Sequence, residues 1–335
     1  MPLSTTSDHA EAAPDLPRLT TSERSAFKRC PQRWHWAYRE GLVPYDEVAP
    51  ALWFGIGVHI GLDVYLKKGG VKRDLDGAVA AWEAYCDTDE LSIAMREKDD
   101  EGADTWVSAL AMGKAMLIGH HDYWGGSPDW DVIDTERPFE IDIPHPFKPD
   151  ADIVTFTSTL DGVYRERSTK RIKLMEHKTA ASISTGHLPL DDQGGAYWAL
   201  APFILTEAGI LKPREEIAGI TYNFLRKGLP DERPKDAQGY ACNKPLKQDY
   251  ITAIAKDAGP EWVAPKGWKL EDLAAEAERR SLKVLGERSK VQPAPLFHRE
   301  DAIRTRAERK TQIDRIGKEA LHHAHLKGRT DMLYK

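Results

Sequence analysis

The stretch that most constrains this chain runs from Thr157 to Thr179, TSTLDGVYRERSTKRIKLMEHKT. Two β-rich runs, Asp152 to Arg165 and Arg171 to Lys178, flank Arg167, Ser168, Thr169 and Lys170, a polar turn of hairpin length. Side chains alternate between the faces of a strand. Ile172, Leu174, Glu176 and Lys178 therefore share one side, and Lys173, Met175 and His177 the other. A strand that begins apolar and ends by projecting a carboxylate and an ammonium into one space points to a phosphate and a metal ion. Hard oxygen ligands suit Mg²⁺ or Mn²⁺, which take one or two carboxylates, retained waters and phosphate oxygens. Asp161 and Glu176 are the candidate carboxylates, with the backbone carbonyl of His177 as a candidate third ligand. Lys178 then orients the attacking water, takes its proton or stabilises charge on the phosphate; the residues do not choose among these roles. Taken alone, the segment fits a surface hairpin with a solvated Glu–Lys pair even better.

At 335 residues the chain can bury a large core, in one elaborated domain or two packed ones. Hydrophobic residues make up 41% and Trp residues number 10, which excludes a disordered or collagen-like chain. The net charge of -6 excludes a uniformly basic nucleic-acid coat but leaves room for a local basic groove. Cys30, Cys86 and Cys242 are far apart and odd in number, so they build neither a disulfide framework nor a complete four-ligand metal cluster. No basic-then-apolar N-terminal signal and no apolar run of spanning length occurs, so a soluble cytoplasmic protein with no membrane contact is expected.

Residues 1–18 lack apolar periodicity and are expected as a disordered tail, with the folded domain over 19–335. Thr20 and Glu23 stand in capping-box spacing before a helix carrying Phe27 and Cys30. Pro31 opens a further helix bearing Trp34 and Tyr38, and Gly41 ends it. Arg24, Lys28, Arg29 and Arg33 face water or a DNA backbone, water being the simpler reading. Ala51 to Lys67 reads as a helix with His59 and Asp63 one turn apart; a hydrogen-bonded core histidine is the plainer reading of His59, a metal ligand the sharper one. The spacing of Gly55, Gly57 and Gly61 does not fit a dinucleotide fingerprint, and no GxxxxGK[ST] loop is present. A helical insertion is expected over 71–124, followed by a strand from Val132 to Ile143.

Asp191 caps a predicted helix that places Gln193 and Tyr197 one turn apart. Ile217 to Leu225 reads as a strand, and Arg226 and Lys227 at its end begin a Pro-, Lys- and Arg-rich loop suited to nonspecific phosphate contacts or to plain solvation. Long polar helices are expected over Leu270 to Glu287 and Arg299 to Lys327, within a C-terminal helical region spanning 270–335. His322, His323 and His325 are read as a solvated helix end rather than a transition-metal site.

The order of these signals is more specific than any one of them. LTTSERSAFKRCPQRWHWAYREGL is followed by GIGVHIGLDVYL, then LDGVY, then EHKTA, then QGGAYWAL. The series resembles the PD-(D/E)XK nuclease superfamily, and more narrowly its RecB-type branch, which includes the nuclease domains of recombination helicases, phage exonucleases and CRISPR-associated exonuclease relatives. The motifs span Leu19 to Leu229. The resemblance implies that His59 is a metal ligand of the first helical motif and that Asp161 is the motif aspartate, with Leu160 in place of the usual proline. It implies further that Glu176 and Lys178 are the (D/E)XK pair, and that Gln193 and Tyr197 are the QxxxY motif that orders the site and the DNA. Cys30 matches the first ligand of an iron–sulfur cluster found in some relatives; the other three have no counterpart here, so Cys30 serves such a cluster only if further ligands lie beyond this chain.

The expected fold is thus α/β, a restriction-endonuclease-like core with a central mixed sheet built from the strands near Val132, Asp152, Arg171 and Ile217 and flanked by helices. The expected function is Mg²⁺- or Mn²⁺-dependent hydrolysis of linear single- or double-stranded DNA by an exonuclease in phage or bacterial recombination or repair, with a recombination protein as a partner. The alternatives are a catalytically silent DNA-binding or assembly subunit of the same fold and a Mg²⁺ phosphohydrolase of small nucleotides.

Overall fold

Among the described residues six strands form one mixed sheet, and its connectivity determines where the chain can open. The computed structural model describes residues 16–42, 50–66, 73–125, 130–148 and 150–327. Most of the expected N-terminal tail and the last residues of the expected C-terminal region lie outside these. Strand β1 (Arg18–Thr20) pairs in parallel with β3 (Asp152–Glu166) at Thr155 to Thr157. Strand β2 (Trp130–Pro144) runs antiparallel along the whole of β3. On β3's other edge, β4 (Ile172–Ala180) pairs only from Gly162↔Met175 to Arg165↔Ile172 before turning to run parallel to β5 (Ile217–Arg226). Past Gly162 and Met175 the two strands part, and Asp161 and Glu176 are the first residues beyond the fork.

The expected strands near Val132, Asp152, Arg171 and Ile217 are β2 to β5. Two more strands leave no clear mark in the sequence. β1 is only three residues long, and β6 (Phe297–Ala302) pairs antiparallel with β5 over Ile220 to Leu225. The helix expected from Arg299 therefore begins later, at Arg306, and runs to Lys327 as α10. The four charged or polar residues between Phe297 and Ala302 hide the alternation, as suits a sheet edge that must not recruit another chain.

Each face of the sheet buries its own core. On one side, Phe156, Leu174 and Ile220 meet Trp198, Leu200 and Ile204 of α7 (Asp192–Glu207) and Ile316 of α10. On the other, Leu225 and Phe297 meet α3 (Pro50–Leu66), α4 (Leu75–Thr88) and α6 (Asp100–Trp124) through Trp53, Val58, Trp82 and Leu117. Fully burying each such side chain contributes about 1.5–3 kcal/mol before entropy is charged against it. Trp53 stacks on Trp82 at 5.9 Å. The glycines of α3 explain themselves here: a Cβ on Gly57 would lie 2.5 Å from the Trp82 and Tyr85 rings, and one on Gly61 2.8 Å from Leu117. They allow close helix packing.

At the N-terminus, Thr20 accepts a hydrogen bond from the Glu23 amide at 3.1 Å and opens α1 (Thr21–Arg29). The next helix, α2 (Pro31–Trp34), continues as one wide π turn over His35–Arg39. Trp34 is fully buried, its indole N–H donating to Glu23 at 3.0 Å. His323 of α10 is buried rather than solvated: its ring lies 4.0 Å from Phe27, and burial pushes its pKa down to about 4. Its neighbours His322 and His325 are both exposed.

Residues 229–295 form a separate compact unit. Its helices α8 (Lys247–Ala258) and α9 (Leu270–Arg279) share a small core of Ile254, Leu273 and Ala277. α9 stops at Arg279 rather than Glu287, because Ser281 takes a left-handed conformation, φ 56°. α5 (Glu90–Lys98) completes the α-helices of the described residues.

Gly194 of α7 passes so close to β5 that an added Cβ would stand 1.9 Å from the Tyr222 hydroxyl. That hydroxyl donates to Asp191, the cap of α7, at 2.9 Å. Gly194→Ala should therefore destabilise the protein by about 1–3 kcal/mol, the usual cost of overpacking. A urea titration checks it, and an unchanged midpoint would show that α7 can retreat from β5 freely.

Candidate active site

The site begins where β3 and β4 diverge. Asp161 is buried, and its Oδ2 accepts the main-chain N–H of His177 at 2.7 Å. A carboxylate here takes the place of the ladder carbonyl that the departing strand no longer offers. The same Oδ2 lies 3.7 Å from His59 Nδ1, carried on α3. His59 Nδ1 is also 3.6 Å from Glu136 of β2.

Glu136 belongs to none of the sequence motifs. Its neighbours pair as Thr135↔Gly162 and Arg137↔Leu160, which sets Glu136 opposite Asp161. It adopts a left-handed conformation, φ 41°, which is strained for a glutamate in a strand and is a feature that gathers at functional sites. The donor atoms of His59, Glu136 and Asp161 all lie within 4.8 Å of one another. Neither the strand pattern nor the charge of Glu136 marks it out; only the antiparallel register does.

Glu176 is 2% exposed. One of its oxygens accepts from Lys178 Nζ at 2.7 Å, and the other is buried without a hydrogen-bond partner among the described residues. Lys178 also donates to the Gln193 side-chain oxygen at 2.7 Å. Gln193 donates to the Tyr197 hydroxyl at 3.0 Å, which lies 2.6 Å from Ser158 on β3. The one-turn spacing on α7 thus ties the lysine of β4 to the far strand.

The electrostatics are those of acids held too close together. Burial, and then the charge of Glu176, pushes the Asp161 carboxyl well above the usual carboxylate range. Burial pushes Glu176 up as well, against the pull of Lys178. Burial alone would lower His59, but its close contact with Glu136 and the charge of Asp161 raise it to about 9. Burial alone would lower Lys178, but the charge and hydrogen bond of Glu176 together with the charges of Asp191 and Asp161 raise it. Crowded carboxylates, a neighbouring imidazole and one unpartnered buried carboxylate oxygen fit a divalent cation. His59, Glu136, Asp161 and Glu176 are the residues that would hold it.

The His177 ring turns to the opposite face from Glu176 and Lys178, as the alternation along β4 requires; its Nδ1 lies 2.9 Å from Asn223 and burial holds its pKa well below normal, which leaves its backbone carbonyl as the candidate third ligand. Cys30 is a free thiol whose sulfur caps α2, accepting from the Arg33 amide at 3.5 Å; Cys86 and Cys242 are free and buried. Arg226 and Lys227 close β5, and Lys227 sits 4.8 Å over the Phe54 ring. Neither lines the groove of about 1150 Å³ that opens on His59, Glu136 and Asp161. Of the basic residues on the first helices, Arg24 and Lys28 are tied to Glu319, at 2.6 and 2.7 Å. Arg29 and Arg33 line the groove and form no ion pair among the described residues, and Ser22, Ser25 and Tyr38 line it with them.

A family model of the PD-(D/E)XK nuclease superfamily matches residues 18–262, well over half of the chain. The chain belongs to the PD-(D/E)XK nuclease superfamily. No curated protein matches it. The matched span covers every residue of the fork, from His59 to Tyr197, so the site described is the candidate nuclease centre. Nucleases of this superfamily use divalent metals.

If the acid cluster holds a cation, Mn²⁺ at a hundredfold excess over Kd should stabilise this nuclease by about 2.7 kcal/mol and so raise its melting temperature. Asp161→Asn and Glu136→Gln should each abolish most of that rise. Differential scanning calorimetry with and without Mn²⁺ checks it, and a full Mn²⁺ response in Glu136→Gln would remove Glu136 from the ligand set.

Proposed function

We propose that this protein is a Mg²⁺- or Mn²⁺-dependent DNA exonuclease of the RecB-type branch, working in phage or bacterial recombination or repair. The observation that carries this reading is the linked set at the strand fork: Asp161, Glu176 and Lys178 beside His59, with Lys178 tied through Gln193 to Tyr197. The RecB-type assignment is supported by the order His59, Asp161, Glu176, Lys178, Gln193, Tyr197 along the chain.

When bound, a divalent cation polarises the phosphate and lowers the cost of forming hydroxide from water. The protein's own groups do the rest. Lys178, held protonated beside Glu176, donates its charge to the phosphate rather than removing a proton. Gln193 fixes the direction of that ammonium, and Tyr197 fixes Gln193. The groove leads away from the cluster past Ser22, Ser25, Arg29 and Arg33, whose hydroxyls and guanidiniums suit the phosphates of the strand being cut. Among the described residues no helix is long and apolar enough to cross a membrane.

The presence of Asp161, Glu176 and Lys178 together supports turnover over a silent binding subunit. End-labelled linear DNA, closed circular DNA and free nucleotides, each incubated with Mg²⁺, separate the readings. Linear DNA should be shortened from an end while circles and nucleotides persist. Lys178→Ala should slow the cut by about 10²–10³-fold, the usual cost of losing a charge-stabilising donor. Nicking of circles at the linear rate would make the enzyme an endonuclease, and cleavage by Lys178→Ala at the parent rate would remove Lys178 from the chemistry.

A further inference from the structure

At the opposite end of the sheet from the fork, a cavity of about 430 Å³ opens beside the first residues of β4 and β5, Ile172 and Ile217. Four to six residues of β4 separate it from Glu176 and Lys178, roughly 13–20 Å along the strand. It belongs to no step of the nuclease reading. Its lining is strongly basic in a chain whose net charge is -6. Arg165 pairs with Glu215 at 2.9 Å, and Arg306 pairs with Glu216. Lys170, Arg171, Arg214, Arg304 and Arg309 remain without an acidic partner among the described residues.

Arg304 is 7% exposed, and its terminal nitrogen donates to the carbonyls of Asp191 and Leu188 at 2.8 and 3.3 Å. Its Nε–H has no partner among the described residues. The same holds for the Nε–H of Arg309 and the indole N–H of Trp198, which is 2% exposed. Arg309 stacks over that indole at 4.6 Å. All three orphan groups belong to residues that line this one cavity, and all three can only donate. Buried donors are rarely left unsatisfied, so the cavity calls for an acceptor. An acceptor among five uncompensated cations is an anion, and guanidinium forks match the oxygens of a phosphate.

We propose that this cavity is a second, non-catalytic site for a small phosphate-bearing ligand, held by Arg304, Arg309 and Trp198 inside and by Lys170, Arg171 and Arg214 at the mouth. The volume admits a phosphate together with part of the molecule that carries it. Arg304 couples the site to α7 through the carbonyl of Asp191, the residue that caps the helix bearing Gln193 and Tyr197.

The test is a thermal-shift titration of the full chain in EDTA, so that neither cation binding nor DNA cleavage contributes. Inorganic phosphate and a deoxynucleoside 5′-monophosphate are compared with chloride at equal ionic strength. Both phosphates should raise the melting temperature, and the tighter of the two shows whether the site takes the bare ion or the nucleotide. Trp198→Phe, which keeps the ring and loses the N–H, and Arg309→Gln should each weaken the phosphate response at least about tenfold. Each variant is read against its own phosphate-free baseline, so a loss of stability in Trp198→Phe does not obscure the result. Lys98→Ala, on α5, should respond like the parent. No response beyond chloride, or an unchanged response in both Trp198→Phe and Arg309→Gln, overturns the proposal, the latter by placing the phosphate elsewhere.

Discussion

Everything at the strand fork depends on one unfavourable interaction: Glu136, Asp161 and Glu176 are crowded beside a single imidazole where burial penalises charge. Two of the acids respond by holding their protons more tightly, and His59 responds by rising to about 9. A fold that only had to be stable would replace such a cluster with apolar residues or separate its members. Native proteins keep frustration of this kind where a ligand relieves it, and a divalent cation supplies the missing positive charge.

The sheet makes the crowding possible. β3 is held along one whole edge by β2, while its other edge is shared by β1 and β4 at different heights. The gap between those two partners is the fork. Asp161 closes the open ladder with its side chain, and that main-chain contact fixes the carboxylate in place. Lys178, Gln193, Tyr197 and Ser158 then bridge the separated strands by side chains alone. That chain orders the lysine before any substrate arrives, so little reorganisation remains for the reaction itself.

Much of this arrangement is legible in the amino-acid sequence. The alternation in β4 puts Glu176 and Lys178 on one face, and Asp191 followed by Gln193 and Tyr197 announces a capped helix with both side chains on one stripe. Proximity across long separations is not legible there. Glu136 is one acid among many until the register sets it opposite Asp161, and its left-handed backbone has no marker in the sequence. β6 reads as helix because charged edge residues mask a period of two. The four basic residues of the first helices look alike in sequence, yet tertiary ion pairs divide them: Arg24 and Lys28 serve the fold, and Arg29 and Arg33 face the groove. His59 stands out only through the family resemblance, since its local pattern fits an ordinary core histidine equally well.

The most direct measurement is anomalous diffraction from crystals grown with Mn²⁺. A peak among His59, Glu136, Asp161 and Glu176, lost in Asp161→Asn crystals, is the predicted result. Manganese bound only at sites remote from the fork, with the four side chains paired among themselves, would contradict a cation-dependent nuclease centre there.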